Sequence, residues 1–119
     1  MPLRLLIVDD SREVLAAARG LLERQGIDVV GVAATIDEAL RCIEAAMPDA
    51  ALVDIDLGGE SGFDLAQRLD TSVRVVLTST HAGRDYADLI EASPALGFLP
   101  KSELSAAAIQ AILNARPGT

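Results

Sequence analysis

The 119-residue chain predicts an α/β fold: a five-stranded parallel sheet with helices on both faces. Two observations carry that prediction. Five short runs rich in Val, Leu and Ile recur along the chain, and a helix-compatible segment separates each run from the next. Size adds a third, because half of the residues are apolar, which suffices for one core and leaves nothing for a second.

The runs are LRLLIV (3–8), DVVGVAA (28–34), DAALVD (49–54), VRVVLT (73–78) and LGFLP (96–100). Their length and nearly continuous apolar character suit strands covered on both faces, joined by right-handed crossovers. After the first run, Ser11 is placed to cap a helix in which Val14, Ala17, Ala18, Leu21 and Leu22 recur at helical spacing until Gly26 stops it. The second helix opens with TIDE, where Thr35 and Glu38 have capping-box spacing; Ile36, Ala39, Leu40 and Ile43 share a face, and Pro48 ends it. A short third helix is expected at 63–69 and a fourth at 84–92, the latter on a weak apolar stripe. The fifth is expected to start at Ser102 as N-cap, with Leu104, Ala108, Ile109, Ile112 and Leu113 behind it. There is no internal repeat, linker or low-complexity stretch.

Charge and composition exclude several functions. Ten basic residues are scattered among eighteen acidic ones, for a formal charge of −8, so the chain lacks the clustered Lys and Arg that phosphate backbones require. Aromatic residues make up 3 % of the chain, which leaves little for stacking on bases. The single cysteine, Cys42, can form neither an internal disulfide nor a Cys-based zinc site, and it sits in an apolar helical pattern. The apolar run in MPLRLLIVDD is too short for a signal peptide core or a membrane span, so the expected location is cytoplasmic, with no membrane and no direct nucleic-acid partner.

Loops that follow the carboxyl ends of parallel strands gather on one edge of the sheet, where ligands bind. The first run ends in Asp9 and Asp10, the third in Asp54, the fourth in Thr78 and the fifth in Lys101. Carboxylates brought this close repel one another unless a cation compensates them, and an all-oxygen donor set suits a hard ion such as Mg²⁺. A metal beside a carboxylate nucleophile, with a Lys and a hydroxyl for further oxygens, is equipment for phosphoryl transfer onto an aspartate.

Taken whole, the motifs LLIVDDS, LVDIDLGGESGFDL, VVLTS and GFLPK resemble the receiver domain of two-component response regulators. The resemblance implies a flavodoxin-like (βα)5 fold and a single receiver domain over 1–119, either alone or as the N-terminal part of a longer regulator. It implies that Asp54 accepts a phosphoryl group from a sensor histidine kinase or a histidine phosphotransfer protein. Asp9, Asp10, Asp54 and the backbone carbonyl of Asp56 are the implied ligands of Mg²⁺, with Mn²⁺ as a substitute. Thr78 and Lys101 are implied to contact the phosphoryl group and Phe98 to follow as a rotamer switch, while Asp56 and Thr80 tune dephosphorylation. A downstream protein target or a fused output domain is the implied reader, at a surface of about residues 83–115, and a phosphorylation-dependent homodimer is compatible with the family. No enzyme activity is implied beyond Mg²⁺-dependent self-phosphorylation and autodephosphorylation.

The chain departs from the usual pattern in three places: Gly58 stands where a Pro is common, the segment from Asp54 to Thr78 is short, and Lys101 precedes Ser102 instead of a Pro. Taken singly, the residues have plainer readings. An acidic pair before Ser11 can simply favour a helix N-terminus, and Lys101 alone reads as a solvated lysine. His81 reads as a loop residue, and Tyr86, Glu60 and Gly62 as loop or helix-surface features. Two alternatives remain: a small aspartate-nucleophile phosphatase, suggested by DID at 54–56, and a phosphorylation-independent interaction domain on the same fold. Against the phosphatase, Leu57 interrupts the small-residue turn of such motifs, and their nucleophile normally lies on the first strand.

Overall fold

The structure, a computed structural model, describes residues 2–69, 72–80 and 86–115. Among the described residues, five strands and five helices alternate: β1 (Arg4–Val8), α1 (Arg12–Arg24), β2 (Asp28–Ala33), α2 (Ile36–Ala46), β3 (Ala50–Asp54), α3 (Gly62–Arg68), β4 (Arg74–Ser79), α4 (Ala87–Ala92), β5 (Gly97–Pro100) and α5 (Ala106–Asn114). A 3-10 turn at Lys101–Glu103 separates β5 from α5. Every strand bound lies within one residue of the apolar run that predicts it.

Among the described residues the five strands pair in parallel, in the order β2-β1-β3-β4-β5. Alternate residues of the inner strands feed two cores. Leu5, Ile7, Ala50, Leu52 and Val76 pack with Leu15, Ala18 and Leu22 of α1 and with Ala106, Ile109 and Leu113 of α5. Leu6, Val8, Ala51, Val53, Val75 and Leu77 face the other way, onto Ile36 and Ala39 of α2 and Leu65 and Ala66 of α3. Two-sided burial is why these strands read as unbroken apolar runs. Pro100, which has no N–H, is tolerated because β5 is an edge strand.

Helix starts follow the predicted caps for α1 and α2. Ser11 Oγ accepts the Val14 N–H at 3.3 Å and Thr35 Oγ1 the Glu38 N–H at 3.1 Å. Glu38 reaches back to the Ala34 N–H at 3.0 Å, one residue beyond a standard capping box, and that hydrogen bond lowers its carboxyl pKa. In α1 the buried stripe is Leu15, Ala18 and Leu22, with Ala17 exposed, so the helix is rotated slightly from the expected face.

The start of α5 corrects the expectation. Ser102 lies in the 3-10 turn, and the N-cap is Ser105, whose Oγ accepts the Ala108 N–H at 3.0 Å. The turn carries Lys101 inward before the helix begins. Of the helix expected at 84–92, Ala87–Ala92 is helical, and residues 81–85, including His81, lie outside the described residues. Among the described residues, no peptide bond is cis and no helix is long and apolar enough to cross a membrane.

Candidate functional site

Strand order reverses between β1 and β3, and in sheets of this kind ligands bind at the carboxyl edge beside that reversal. Asp9 and Asp10 follow β1 directly and Asp54 ends β3. Asp9 and Asp54 are buried, at 2 % and 5 % exposure, whereas Asp10 is exposed. Each of the three offers a carboxylate oxygen, and these oxygens lie within 4.8 Å of one another.

Burying carboxylates is costly unless they are paired, and each has partners. Asp9 Oδ1 accepts the Ser11 N–H at 2.9 Å, which ties it to the start of α1. Asp54 Oδ1 accepts the Asp56 N–H at 3.1 Å. The second oxygen of each takes Lys101: Nζ lies 2.6 Å from Asp9 Oδ2 and 2.9 Å from Asp54 Oδ2. One ammonium, from the turn after β5, thus clamps the ends of β1 and β3.

Burial pushes the Asp54 carboxyl above the ordinary aspartate value. Its bonds to Lys101 and to the Asp56 N–H pull the other way, and the neighbouring Asp9 adds to the rise. Burial alone would lower Lys101, yet its hydrogen bonds to Asp9 and Asp54 outweigh it and hold the ammonium above its ordinary value. Three carboxylates against one ammonium leave an excess of negative charge. An all-oxygen cluster of that charge fits a hard divalent cation.

The loop after β3 shapes the mouth. Gly58 and Gly59 have φ of +63° and +86°, and a Cβ on Gly58 would stand 2.9 Å from Asp10 Oδ2. A Pro, the residue usual here in the family the sequence resembles, cannot take that φ. Gly62 is buried at the first turn of α3, and a Cβ there would overlap the Asp54 carbonyl oxygen. It is therefore a close-packing residue against the end of β3, not the surface feature that its place in a polar loop suggests.

Among the other expected site residues, Thr78 is buried at the end of β4, opposite Asp54 in register, and its hydroxyl donates to the Leu99 carbonyl at 2.6 Å. Phe98 is half-buried on β5, against the core that faces α2 and α3. Asp56 is exposed, and its Oδ1 accepts the Gly58 N–H at 3.1 Å. Thr80 is exposed just past β4. Asp9, Asp10, Asp54 and Lys101 thus share one cluster, with Asp56 joined to it through its N–H. Thr78 and Phe98 line the adjoining β4–β5 flank.

Two residues have supporting roles that the sequence does not show; Glu60 reads there as a loop or helix-surface feature. Glu60 Oε1 accepts the Ile36 N–H at 3.1 Å, joining the loop after β3 to the start of α2. Gln25 Oε1 accepts the Ala106 N–H at 2.6 Å, joining the end of α1 to the start of α5. Neither carries a local signal, because the partner lies far away in sequence. Tyr86, half-buried, meets the Phe63 ring at 6.4 Å between centroids and so packs onto α3.

A family model described as the response regulator receiver domain matches residues 5–114. The transcriptional regulatory protein DesR of Bacillus subtilis (strain 168) is 28% identical over 117 residues, covering 94% of this chain and 59% of that protein. Among solved structures, a two-component response regulator of the LuxR family from Aurantimonas sp. SI85-9A1 superposes with a TM-score of 0.79 at 29% identity, covering 95% of this chain and 84% of that one. A CheY-like response regulator receiver domain protein from Methanospirillum hungatei JF-1 gives 0.78 at 26%, with 95% and 92% covered. The chain spans half to three-fifths of the length of the first three curated relatives it matches.

Proposed function

The chain belongs to the response regulator receiver domain family, and from that premise we propose that it is one receiver unit whose Asp54 accepts a phosphoryl group from a sensor histidine kinase or histidine phosphotransfer protein. The observation that carries this reading is the double hydrogen bond of Lys101 to Asp9 and Asp54 at the point where strand order reverses. It ties the candidate nucleophile to a second acid and a cation, with Asp10 close by.

Asp9, Asp10 and Asp54, with the backbone carbonyl of Asp56, would hold Mg²⁺, or Mn²⁺ in its place. When bound, the ion supplies neutralisation of the charge carried by the phosphoryl oxygens during transfer. The chain's own part begins with Asp54, whose carboxylate oxygen bonds to phosphorus as the P–N bond of the donor phosphohistidine breaks and the imidazole takes up a proton. Lys101, already held at the pocket, pairs with an oxygen of the new acyl phosphate.

Thr78 then exchanges the Leu99 carbonyl for a phosphoryl oxygen, and Phe98 follows on the same flank. These contacts exist only in the phosphorylated state, so they bias the domain between two surface states. Asp56 and Thr80 tune how fast water removes the group. In this reading the chain works in the cytoplasm, does not itself bind nucleic acid, and signals through the α4–β5–α5 surface to a protein target, a second copy or an output domain. Its relative's name, a transcriptional regulatory protein, favours an output of that kind.

The test is incubation with acetyl phosphate, with and without Mg²⁺. The reading expects one phosphoryl group gained per chain, with Mg²⁺ only, and no sustained turnover of an aryl phosphate ester. Sustained turnover would favour a phosphatase, and no labelling beside an active control receiver would favour a phosphorylation-independent interaction domain.

A further inference from the structure

The segment from Asp56 to Ser61 forms a small hairpin of its own. Asp56 and Ser61 pair in an antiparallel bridge, and the Leu57 N–H donates to the Glu60 carbonyl at 3.0 Å. At its base, the Gly62 N–H donates to the Ile55 carbonyl at 2.7 Å. Gly58 and Gly59 form the tip, both at positive φ, as a two-residue turn with the right twist demands.

Three points on this hairpin touch its surroundings. The tip passes close to Asp10, leaving no room for a side chain: a Cβ on Gly58 would stand 2.9 Å from Asp10 Oδ2. The base donates the Asp56 N–H to Asp54 Oδ1. The returning arm sends Glu60 out to α2, where Oε1 accepts the Ile36 N–H at 3.1 Å.

Ile36 opens α2, so its N–H is one of the first-turn donors that the helix itself cannot satisfy. The local cap leaves it over: Thr35 Oγ1 takes the Glu38 N–H and Glu38 takes the Ala34 N–H. Glu60 fills that gap from another element. A tip of two glycines has little stiffness of its own, so an outside anchor decides how tightly it sits.

We infer that Glu60 is a positioning residue for the metal cluster. By fastening the hairpin to the first turn of α2, it holds Gly58 close to Asp10 and Asp56 against Asp54, and so sets the affinity of those acids for Mg²⁺. The inference rests on the Mg²⁺ reading of the pocket. Glu60 does not touch the reacting atoms; it acts through the hairpin.

The experiment is a calorimetric Mg²⁺ titration of the full chain and of its Glu60→Ala and Glu60→Gln variants, with the Ile36 amide followed by NMR. Circular dichroism first establishes that each variant is folded. Losing one such hydrogen bond is expected to weaken Mg²⁺ binding about fivefold in Glu60→Ala, with a shifted, faster-exchanging Ile36 amide. Glu60→Gln keeps an acceptor oxygen, so both readouts are expected to stay close to those of the parent. Unchanged affinity in Glu60→Ala would overturn the inference. An equal loss in Glu60→Gln would also overturn it, because only the charge would then matter. A parent chain that binds no Mg²⁺ would overturn the metal reading itself, and the inference with it.

Discussion

Asp54 carries its charge where burial resists it, and that tension has a measurable consequence. Its folded pKa lies above the ordinary aspartate value, so the folded state holds the proton more tightly than the unfolded chain does. Stability from this group is therefore lost as pH rises through the unfolded value towards the folded one, and the ionised form is a burden at neutral pH. Asp54→Asn should raise the melting temperature at pH 7, about 4 °C for a gain of about 1 kcal/mol. The gain should vanish below about pH 3, where the aspartate is protonated in both states; an unchanged melting temperature at pH 7 would contradict the account. Lys101 has the opposite sense: its folded pKa is raised, so its contribution is present below the ordinary lysine value and is lost only as pH climbs past it. Lys101→Ala strands two buried carboxylates and should cost about 2–3 kcal/mol in urea unfolding, part of it restored by Mg²⁺; full stability without metal would argue against the clamp. These residues were legible because an acid that closes an apolar run is out of place and asks for a partner. Glu60 and Gln25 were not legible, because a polar side chain in a loop or at a helix end looks the same whether it meets water or a distant backbone N–H.

The elements differ in how much their own sequence decides. Ser11 and Thr35 each precede an apolar helical stripe, so α1 and α2 begin where the sequence indicates. Two serines three positions apart precede α5, and local pattern does not separate them. The choice falls to Ser105 because Lys101 must first turn in towards Asp9 and Asp54, a demand set by residues 92 and 47 positions away. In the element α4, short and without a buried residue, the weak stripe reflects thin packing. The junction of β3 with α3 depends on the missing side chain of Gly62. Gly62→Ala should destabilise the fold by about 2 kcal/mol and slow phosphorylation, because Ala must push the Asp54 backbone aside; wild-type stability and rate would refute the close-packing role. At the end of α2, Met47 adopts φ +50° while 74 % exposed, and Arg4 Nη1 and Nη2 donate to the Met47 and Ala46 carbonyls at 2.9 and 2.7 Å. Met47→Gly should relieve that left-handed cap and raise stability by about 0.5 kcal/mol in denaturant melts, whereas a loss would mean the exposed side chain contributes packing.

For the molecule as a whole, the alternation of apolar runs with helix-compatible segments made the layered architecture legible, since parallel strands buried on both faces can hardly be written otherwise. Strand order was not legible in the runs themselves. No strand names its neighbour, and the order β2-β1-β3-β4-β5 follows from how the crossovers pack. That order makes the site, by bringing Asp9 and Asp10 beside Asp54 and letting Lys101 reach across from the sheet's edge strand. Repulsion among these acids is what a bound cation would relieve, and in the proposed reading that relief, with the phosphoryl group, is how local chemistry would bias the whole domain. The central claim is that Asp54 is the acceptor in a metal-dependent pocket, and peptide mass spectrometry after acetyl phosphate treatment tests it most directly. The chain and an Asp54→Ala variant are treated with and without Mg²⁺, then digested. The account predicts a phosphoryl group on the peptide containing Asp54, in the parent chain and with Mg²⁺ alone. A phosphoryl group on another peptide, or equal labelling of the Asp54→Ala variant, would contradict it.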